Sequence, residues 1–528
     1  MFTKRNALLM GLLYVLLFTA ACGAAAPTET PPLPGPQEEY VPPAPAATEV
    51  PASSYEPEAP SIDLHSSSPA NREPYDMFFE DYGVNPSIDT EDDNLSTFAL
   101  DVDTGSYTIM RSYLKDGILP PSDSVRVEEY VNYFRQGYPN PPAHQAFGIH
   151  VDGAPSPFTQ TERYQMLRVG IQGYQVPEFE RKDASLTFVI DVSGSMDMDN
   201  RLGLVKRSLE LLVEQLHPAD SVSVVVYGSD ARVVLDPTPG SEKGRILEAI
   251  YSLRPEGATN AESGLRLGYQ MAMRAYQPGG INRVILCSDG VANVGETGPD
   301  AILEEVDHYV DEGVTLTTIG FGMDNYNDVL MEQLADNGDG FYAYVDDLRE
   351  SRRLFIDQIT GTLQTIAMDA KVQVDFNPEI VMRYRLVGFE NRAIADEDFR
   401  DNRVDAGELG AGHSVTALYE VKLYPDAYGN IATVYMRWQD PDMRQVVELS
   451  QDFQSGELEY EFEDADPYFQ RSVIVAEYAE ILKKSYWAEE SSLSQVYWEA
   501  QRVSEILPWD EDMSEFMELI RRASRLTD

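Results

Sequence analysis

Cysteine is almost absent from this 528-residue chain, which holds two, Cys22 and Cys287. Two cysteines so far apart do not build a disulfide framework, so stability cannot come from a set of cross-links. Basic residues are scarce as well: 40 Lys and Arg stand against 89 Asp and Glu, for a formal charge of -49 and a pI of about 4.3. A surface of that sign repels a phosphate backbone and makes nucleic acid a poor partner. The six histidines are scattered and no His-Glu-x-x-His occurs, which disfavours a zinc protease. A Gly-x-Ser-x-Gly nucleophile elbow is missing too.

What is present begins with an address. Lys4 and Arg5 precede an apolar stretch from Ala7 to Thr19, which is short for a membrane span and ends in small residues, as a cleaved signal peptide does. Thr19-Ala20-Ala21-Cys22 resembles a bacterial lipobox, with Thr19 in place of the commoner leucine. The resemblance makes 1–22 a lipoprotein signal and Cys22 the lipidated first residue, held to the extracytoplasmic side of a membrane of the bacterial cell envelope. Residues 23–74, rich in Pro, Ala, Glu, Ser and Thr, bury too little apolar surface to fold and are expected to form a tether. The remaining length, at 43% hydrophobic residues overall, suffices for two or three packed domains.

The chemistry concentrates in Asp191, Ser193, Ser195, Thr259 and Asp289. Ala184 to Ile190 is a near-continuous apolar and β-branched run, the pattern of a strand buried on both faces, and Asp191-Val192-Ser193-Gly194-Ser195 follows it. One carboxylate and two hydroxyls therefore occupy the loop at the strand's carboxyl end, where open α/β sheets bind ligands. Val284 to Asp289 ends a second buried strand with a carboxylate, and Thr259 adds a hydroxyl just before a helical stretch. Hard oxygen donors of this kind suit Mg²⁺, with Mn²⁺ or Ca²⁺ as variants. In the competing reading, Asp191 and Ser193 merely cap the next helix.

Around these residues the periodicity predicts a helix from Leu202 to Leu216, a strand from Ser221 to Tyr227 and an edge strand at Arg232 to Leu235. Helices are predicted near Glu242 to Tyr251 and Ala261 to Tyr276. Pro299 to Asp311 reads as a helix and Val314 to Ile319 as a strand, followed by a helix–strand–helix series to about Thr365. Strands alternating with helices imply an α/β fold, a doubly wound and mainly parallel sheet, over 183–366.

Asp191-x-Ser193-x-Ser195 with Thr259 and Asp289 resembles the metal-ion-dependent adhesion site of von Willebrand factor type A (VWA) domains. The resemblance implies that these five residues hold a divalent cation over the sheet, Asp289 often acting through water, and that the cation takes an acidic side chain of a protein partner as its last ligand. The flanks, 75–182 and 367–465, resemble those of bacterial VWA lipoproteins. Leu95 to Tyr107, Val125 to Phe134, Lys371 to Pro378, Tyr384 to Arg392 and Gly410 to Glu420 lie in them. Both flanks are expected to be β-rich, pairing into one sandwich-like module, and 466–528 to be helical. A metal-dependent hydrolase at the same crevice and a scaffold binding through its β-rich arms are the alternatives, although no general base is visible near Ser193 and Ser195.

Three smaller expectations follow. Asp101-x-Asp103-x-Gly105 resembles a calcium loop but has its glycine one position early and Ser112 at the closing position, so it reads as a strand end with capping Asp residues. Trp487, Trp498 and Trp509 lie in helical stripes and read as packing residues. Cys287 reads as a small apolar core residue.

Overall fold

The computed structural model describes residues 77–159, 164–290, 299–322, 327–404 and 406–527. The expected signal peptide with Cys22 and the tether at 23–74 lie outside them.

A six-stranded sheet forms the centre of the α/β core, in the order Tyr342–Tyr344, Thr315–Gly320, Ile281–Ser288, Ala184–Asp191, Ser221–Tyr227, Ala231–Pro239. The first five strands are parallel and the last is an antiparallel edge. Every residue of Ala184–Asp191 and of Ile281–Ser288 is buried, as continuous apolar runs in a doubly covered sheet must be. Alternation along the strand divides the side chains. Phe188 and Ile190 join the cluster under the helices Arg201–Glu214 and Lys243–Ser252, while Val189 joins the opposite cluster under Ala261–Arg274 and Asp328–Asp336.

Helix Ala261–Arg274 approaches the sheet closely because two of its residues are glycines. A Cβ on Gly268 would stand 2.3 Å from Val189 Cγ2, and one on Gly264 would stand 2.6 Å from Tyr227 Cδ1. That approach, with Asn260 capping the helix by accepting from the Ser263 N–H at 3.1 Å, places the loop carrying Thr259 beside the ends of the central strands.

The segments before and after the core fold together. One antiparallel sheet runs Ile88–Asp89, Val381–Val387, Ser414–Leu423, Tyr164–Gly173, Phe147–Pro155. A second holds Gly407–Gly410, Thr365–Phe376, Asn430–Gln439 and Val446–Gln454, with Leu95–Ala99 also paired to Thr365–Phe376. Both sheets mix strands from the two flanks, and their inner faces share one core containing Phe98, Val372 and Val434 from one sheet and Val169, Ile171 and Tyr419 from the other. The amino-terminal flank is not uniformly β-rich, however. It also carries helices Gly105–Lys115 and Val127–Asn132. The run Tyr130, Tyr133, Phe134 follows helical spacing and packs against the carboxy-terminal helices Pro467–Lys483, Leu493–Ile506 and Glu511–Thr527. Asp466 caps the first of these, accepting from the N–H groups of Tyr468 and Phe469, with Pro467 at its first position.

One expectation is corrected and a second enlarged. Trp498 and Trp509 are 67 and 93% exposed rather than packed, whereas Trp487 packs under the Arg385 guanidinium and donates Nε1–H to the Asn85 carbonyl at 3.1 Å. Helix Leu493–Ile506 buries Leu493, Val496, Ala500 and Val503, and Trp498 falls on the other side. In the second, Asp101 and Asp103 stand just beyond a strand end and Asp101 Oδ1 accepts the Asp103 N–H at 2.9 Å, but the pair does more than cap. Asp103 Oδ1 accepts the Tyr342 N–H at 2.9 Å, and the Arg392 guanidinium reaches Asp101 Oδ2 at 2.9 Å, Glu332 Oε1 at 2.8 Å and Asp336 Oδ2 at 2.8 Å. Arg392 follows a sandwich strand, whereas Glu332 and Asp336 lie on a helix of the α/β core, so one side chain ties the two modules. Removing it strands buried carboxylates without a counter-charge. Arg392→Gln is therefore expected to lower stability by about 3–5 kcal/mol in urea unfolding, and an unchanged midpoint would show that the clasp contributes nothing.

Candidate metal centre

Asp191 is fully buried at the end of its strand. The chain then turns back on it: the Ser193 N–H donates to Asp191 Oδ1 at 2.7 Å, and Ser288 Oγ donates to Asp191 Oδ2 at 3.1 Å. Ser193 Oγ and Ser195 Oγ are 3.0 Å apart and hydrogen-bonded, and Ser195 Oγ donates to Asp289 Oδ1 at 3.1 Å. Asp191, Ser193, Ser195 and Asp289 thus form one hydrogen-bonded series, closed at its far end by Arg201 Nη1 on Asp289 Oδ2 at 2.8 Å. Thr259 makes none of these bonds among the described residues. Its loop is docked against the series, however, since the Gly194 N–H donates to the Gly257 carbonyl at 3.2 Å and the Glu256 N–H to the Val192 carbonyl at 2.5 Å. Ser195 and Thr259 are half-buried and Gly194 is exposed, so the group opens to solvent on that side and has Asp191 at its floor.

The two carboxylates differ electrically. Asp289 has a guanidinium against one oxygen. Asp191 has hydroxyl and amide donors but no cationic side chain among the groups that act on it, and burial, reinforced by the Asp289 charge, pushes its carboxyl up to about 6. An anion held there lacks an opposing positive charge, and each of its oxygens keeps a lone pair beyond the bond it accepts. Together with the hydroxyls, the donor set is all hard oxygen and carries little net charge. It fits a hard divalent cation held by Asp191, Ser193 and Ser195, with Thr259 and Asp289 in reach through the loop contact and the Ser195 bond.

Two other acidic clusters among the described residues already have nitrogen donors at their centre. Asp220, near Asp183 and His217, receives both terminal nitrogens of Arg181 and the N–H groups of Ala184 and His217. Asp101, Asp103 and Glu332 surround Arg392.

Sequence reasoning overlooked Arg201 and Ser288. Ser288 left a trace, since a hydroxyl at the end of a wholly buried strand needs a partner. Arg201 left none, because it begins the helix after the site loop, where an arginine is unremarkable in a sequence. Neither Ser193 nor Ser195 hydrogen-bonds to a histidine among the described residues.

Residues 185–358 match the von Willebrand factor type A domain family, 73–168 the von Willebrand factor family, and 361–526 the family described as uncharacterized protein YfbK, C-terminal. The uncharacterized protein YfbK of Escherichia coli (strain K12) is 41% identical over 352 residues, covering 65% of this chain and 61% of that protein. Human inter-alpha-trypsin inhibitor heavy chain H3 is 26% identical over 273 residues, covering 45% of this chain and 28% of that one. The alignment thus spans less than two thirds of either relative's length. Among solved structures, a von Willebrand factor type A protein from Catenulispora acidiphila aligns over 70% of this chain and 89% of its own at 16% identity, with a TM-score of 0.42.

Cys287 lies on the strand that delivers Asp289, and it is a free, fully buried thiol whose burial pushes its ionisation far above the ordinary range. Alkylation of the native protein at mildly alkaline pH is expected to leave it unmodified, with full labelling only after denaturation. Labelling within minutes in the folded state would show that this strand opens readily.

Proposed function

We propose that this chain, a homologue of bacterial YfbK carrying a von Willebrand factor type A domain, is a lipid-anchored envelope protein that binds an acidic group of a partner protein through a divalent cation. The buried Asp191 carboxylate, surrounded by oxygen donors and in no ion pair among the described residues, is the observation that carries this reading. When bound there, a divalent cation supplies a coordination position for an oxygen ligand from outside. Asp191 fixes the charge at the floor of the site, and its bonds from Ser193 and Ser288 hold the carboxylate in one orientation. Ser193 and Ser195 bring neutral oxygens, which leave the site's charge low enough for an incoming carboxylate to approach. Arg201 reduces that repulsion further by neutralising Asp289. The half-buried Ser195 and Thr259 line the open side, where a partner has access.

Cys22 supplies the membrane attachment in this proposal and the 23–74 tether lifts the folded part away from the bilayer. A hydrolytic role is the weaker reading, because the serine hydroxyls are committed to each other and to Asp289.

Asp191→Ala is expected to abolish Mg²⁺ and Mn²⁺ binding in calorimetric titrations and to abolish chelator-sensitive capture of envelope partners. Circular dichroism and the melting transition should remain those of a folded protein. Equal cation affinity in wild type and variant would remove the basis of the proposal.

A further inference from the structure

The joint between the α/β core and the sandwich holds more negative charge than its arginines offset. Six carboxylates meet there: Asp101 and Asp103 beyond strand Leu95–Ala99, Glu129 on helix Val127–Asn132, and Asp328, Glu332 and Asp336 on helix Asp328–Asp336. Two guanidiniums face them. Arg126 pairs with Glu129, with Asp328 at 2.8 Å and with Glu332 at 3.3 Å, while Arg392 takes Asp101, Glu332 and Asp336 and stands 3.6 Å from Asp103 Oδ2. Asp103, Glu129, Asp328 and Glu332 are all buried. Fully ionised, the group would leave an excess of four negative charges in a largely dry joint, which low dielectric forbids without another neutralising species.

That species is either a cation or protons, and the geometry decides. Oxygens of Asp101, Asp103 and Glu332 lie within 4.8 Å of one another, a spacing that could hold a metal, but the Arg392 guanidinium already occupies the space between them. Hydrogen-bond accounting then locates the protons. Both Glu129 oxygens accept N–H bonds, one from Arg126 and one from Ser106 at 2.7 Å, and Asp328 accepts from Tyr342 Oη at 2.6 Å and from Arg126. Asp103 Oδ2 and Glu332 Oε2, by contrast, are buried oxygens that accept no hydrogen bond among the described residues, facing guanidinium nitrogens only at ion-pair range, 3.6 Å from Arg392 and 3.3 Å from Arg126.

We infer that Asp103 and Glu332 share at least one proton near neutral pH and that this proton latches the α/β core to the sandwich, so that its loss loosens the joint. Burial pushes both carboxyls up, Glu332 to about 7, with Asp101 and Asp328 among the charges reinforcing the shift and Arg392 opposing it. The same cause pushes Glu129 up to about 8 and Asp336 upward, so Asp103, Glu129, Glu332 and Asp336 titrate as coupled groups. Other charges face it from the surrounding elements. Tyr82, in the amino-terminal segment, stands near Glu332, Arg126 and Glu80. Beyond Glu129, Glu128 accepts the Phe389 N–H at 2.9 Å, and Glu390 pairs with Lys483 at 3.0 Å. A carboxyl raised in the folded state stabilises below its unfolded value near 4, and that contribution is lost as pH rises through the folded value. The joint should therefore be tightest in mild acid and loosen through about pH 7 to 8.

Hydrogen exchange of the amides of helix Asp328–Asp336, corrected for the intrinsic pH effect, tests this on the full chain. The opening equilibrium in wild type is expected to rise several-fold between about pH 6 and pH 8.5, approaching tenfold per pH unit at its steepest. Asp103→Asn and Glu332→Gln, which keep shape and remove the titrating group, should flatten the rise. A pH-independent wild type, or variants with an undiminished slope, would overturn the latch. Should the variants fail to fold, the carbonyl stretch of a protonated carboxylic acid in the infrared spectrum of the wild type near neutral pH decides instead: its presence supports the inference and its absence overturns it. A second class of divalent-ion binding that disappears in Asp103→Asn while the Asp191-dependent class remains would also overturn it, by showing that a cation neutralises the joint, and would leave the proposal for the Asp191 site untouched.

Discussion

The carboxylate of Asp191 stands at the end of a strand with no solvent on either face, and a charge in that place persists only where other groups oppose it. The protein answers with two hydrogen bonds, from the Ser193 amide and the Ser288 hydroxyl, and with no ion pair among the described residues. It treats Asp289, a few ångströms away along the hydroxyl series, in the opposite manner, by setting Arg201 against it. The asymmetry leaves one uncompensated negative charge at the floor of an opening lined with neutral oxygen. In the proposed function, such an opening takes a small hard cation without surrounding it with enough anionic charge to repel a further carboxylate.

The rest of the fold keeps that loop in place. Gly264 and Gly268 let helix Ala261–Arg274 lie close on the sheet, and this sets the Thr259 loop against the Gly194 amide. The sandwich, built from strands on both sides of the inserted core, closes only when the two flanks meet across it. The core's ends are thus anchored, and Arg392 and Arg126 add an electrostatic clasp at the seam. The metal loop and the acidic joint each place carboxylates where water is scarce, but they are resolved differently: one is left open to a cation, and the other is filled by arginine and protons.

Much of this was legible because it depends on local patterns. Continuous apolar runs at Ala184 to Ile190 and Val284 to Cys287 announce doubly covered strands, and the carboxylates that follow them must fall at the strand ends. The i, i+2 spacing of Ser193 and Ser195 likewise foretells that their hydroxyls meet. What stayed hidden depends on distant partners. Asp101 and Asp103 read as caps because nothing in their neighbourhood shows Arg392, nearly three hundred residues onward, reaching them. Tyr130, Tyr133 and Phe134 form a helical face only in the presence of the carboxy-terminal helices they pack on. Trp498 lies on a helix whose pattern does not tell which side a neighbour will cover, and Trp509 falls in the turn between helices Leu493–Ile506 and Glu511–Thr527.

Anomalous diffraction from crystals grown with Mn²⁺ addresses the central claim most directly, because it locates the cation without reference to any partner. The account predicts a single strong peak bounded by Asp191, Ser193 and Ser195, with Arg201 still on Asp289. Side chains unmoved from their hydrogen-bonded series and no peak among them, at Mn²⁺ concentrations well above those that saturate ordinary oxygen-ligand sites, would contradict it.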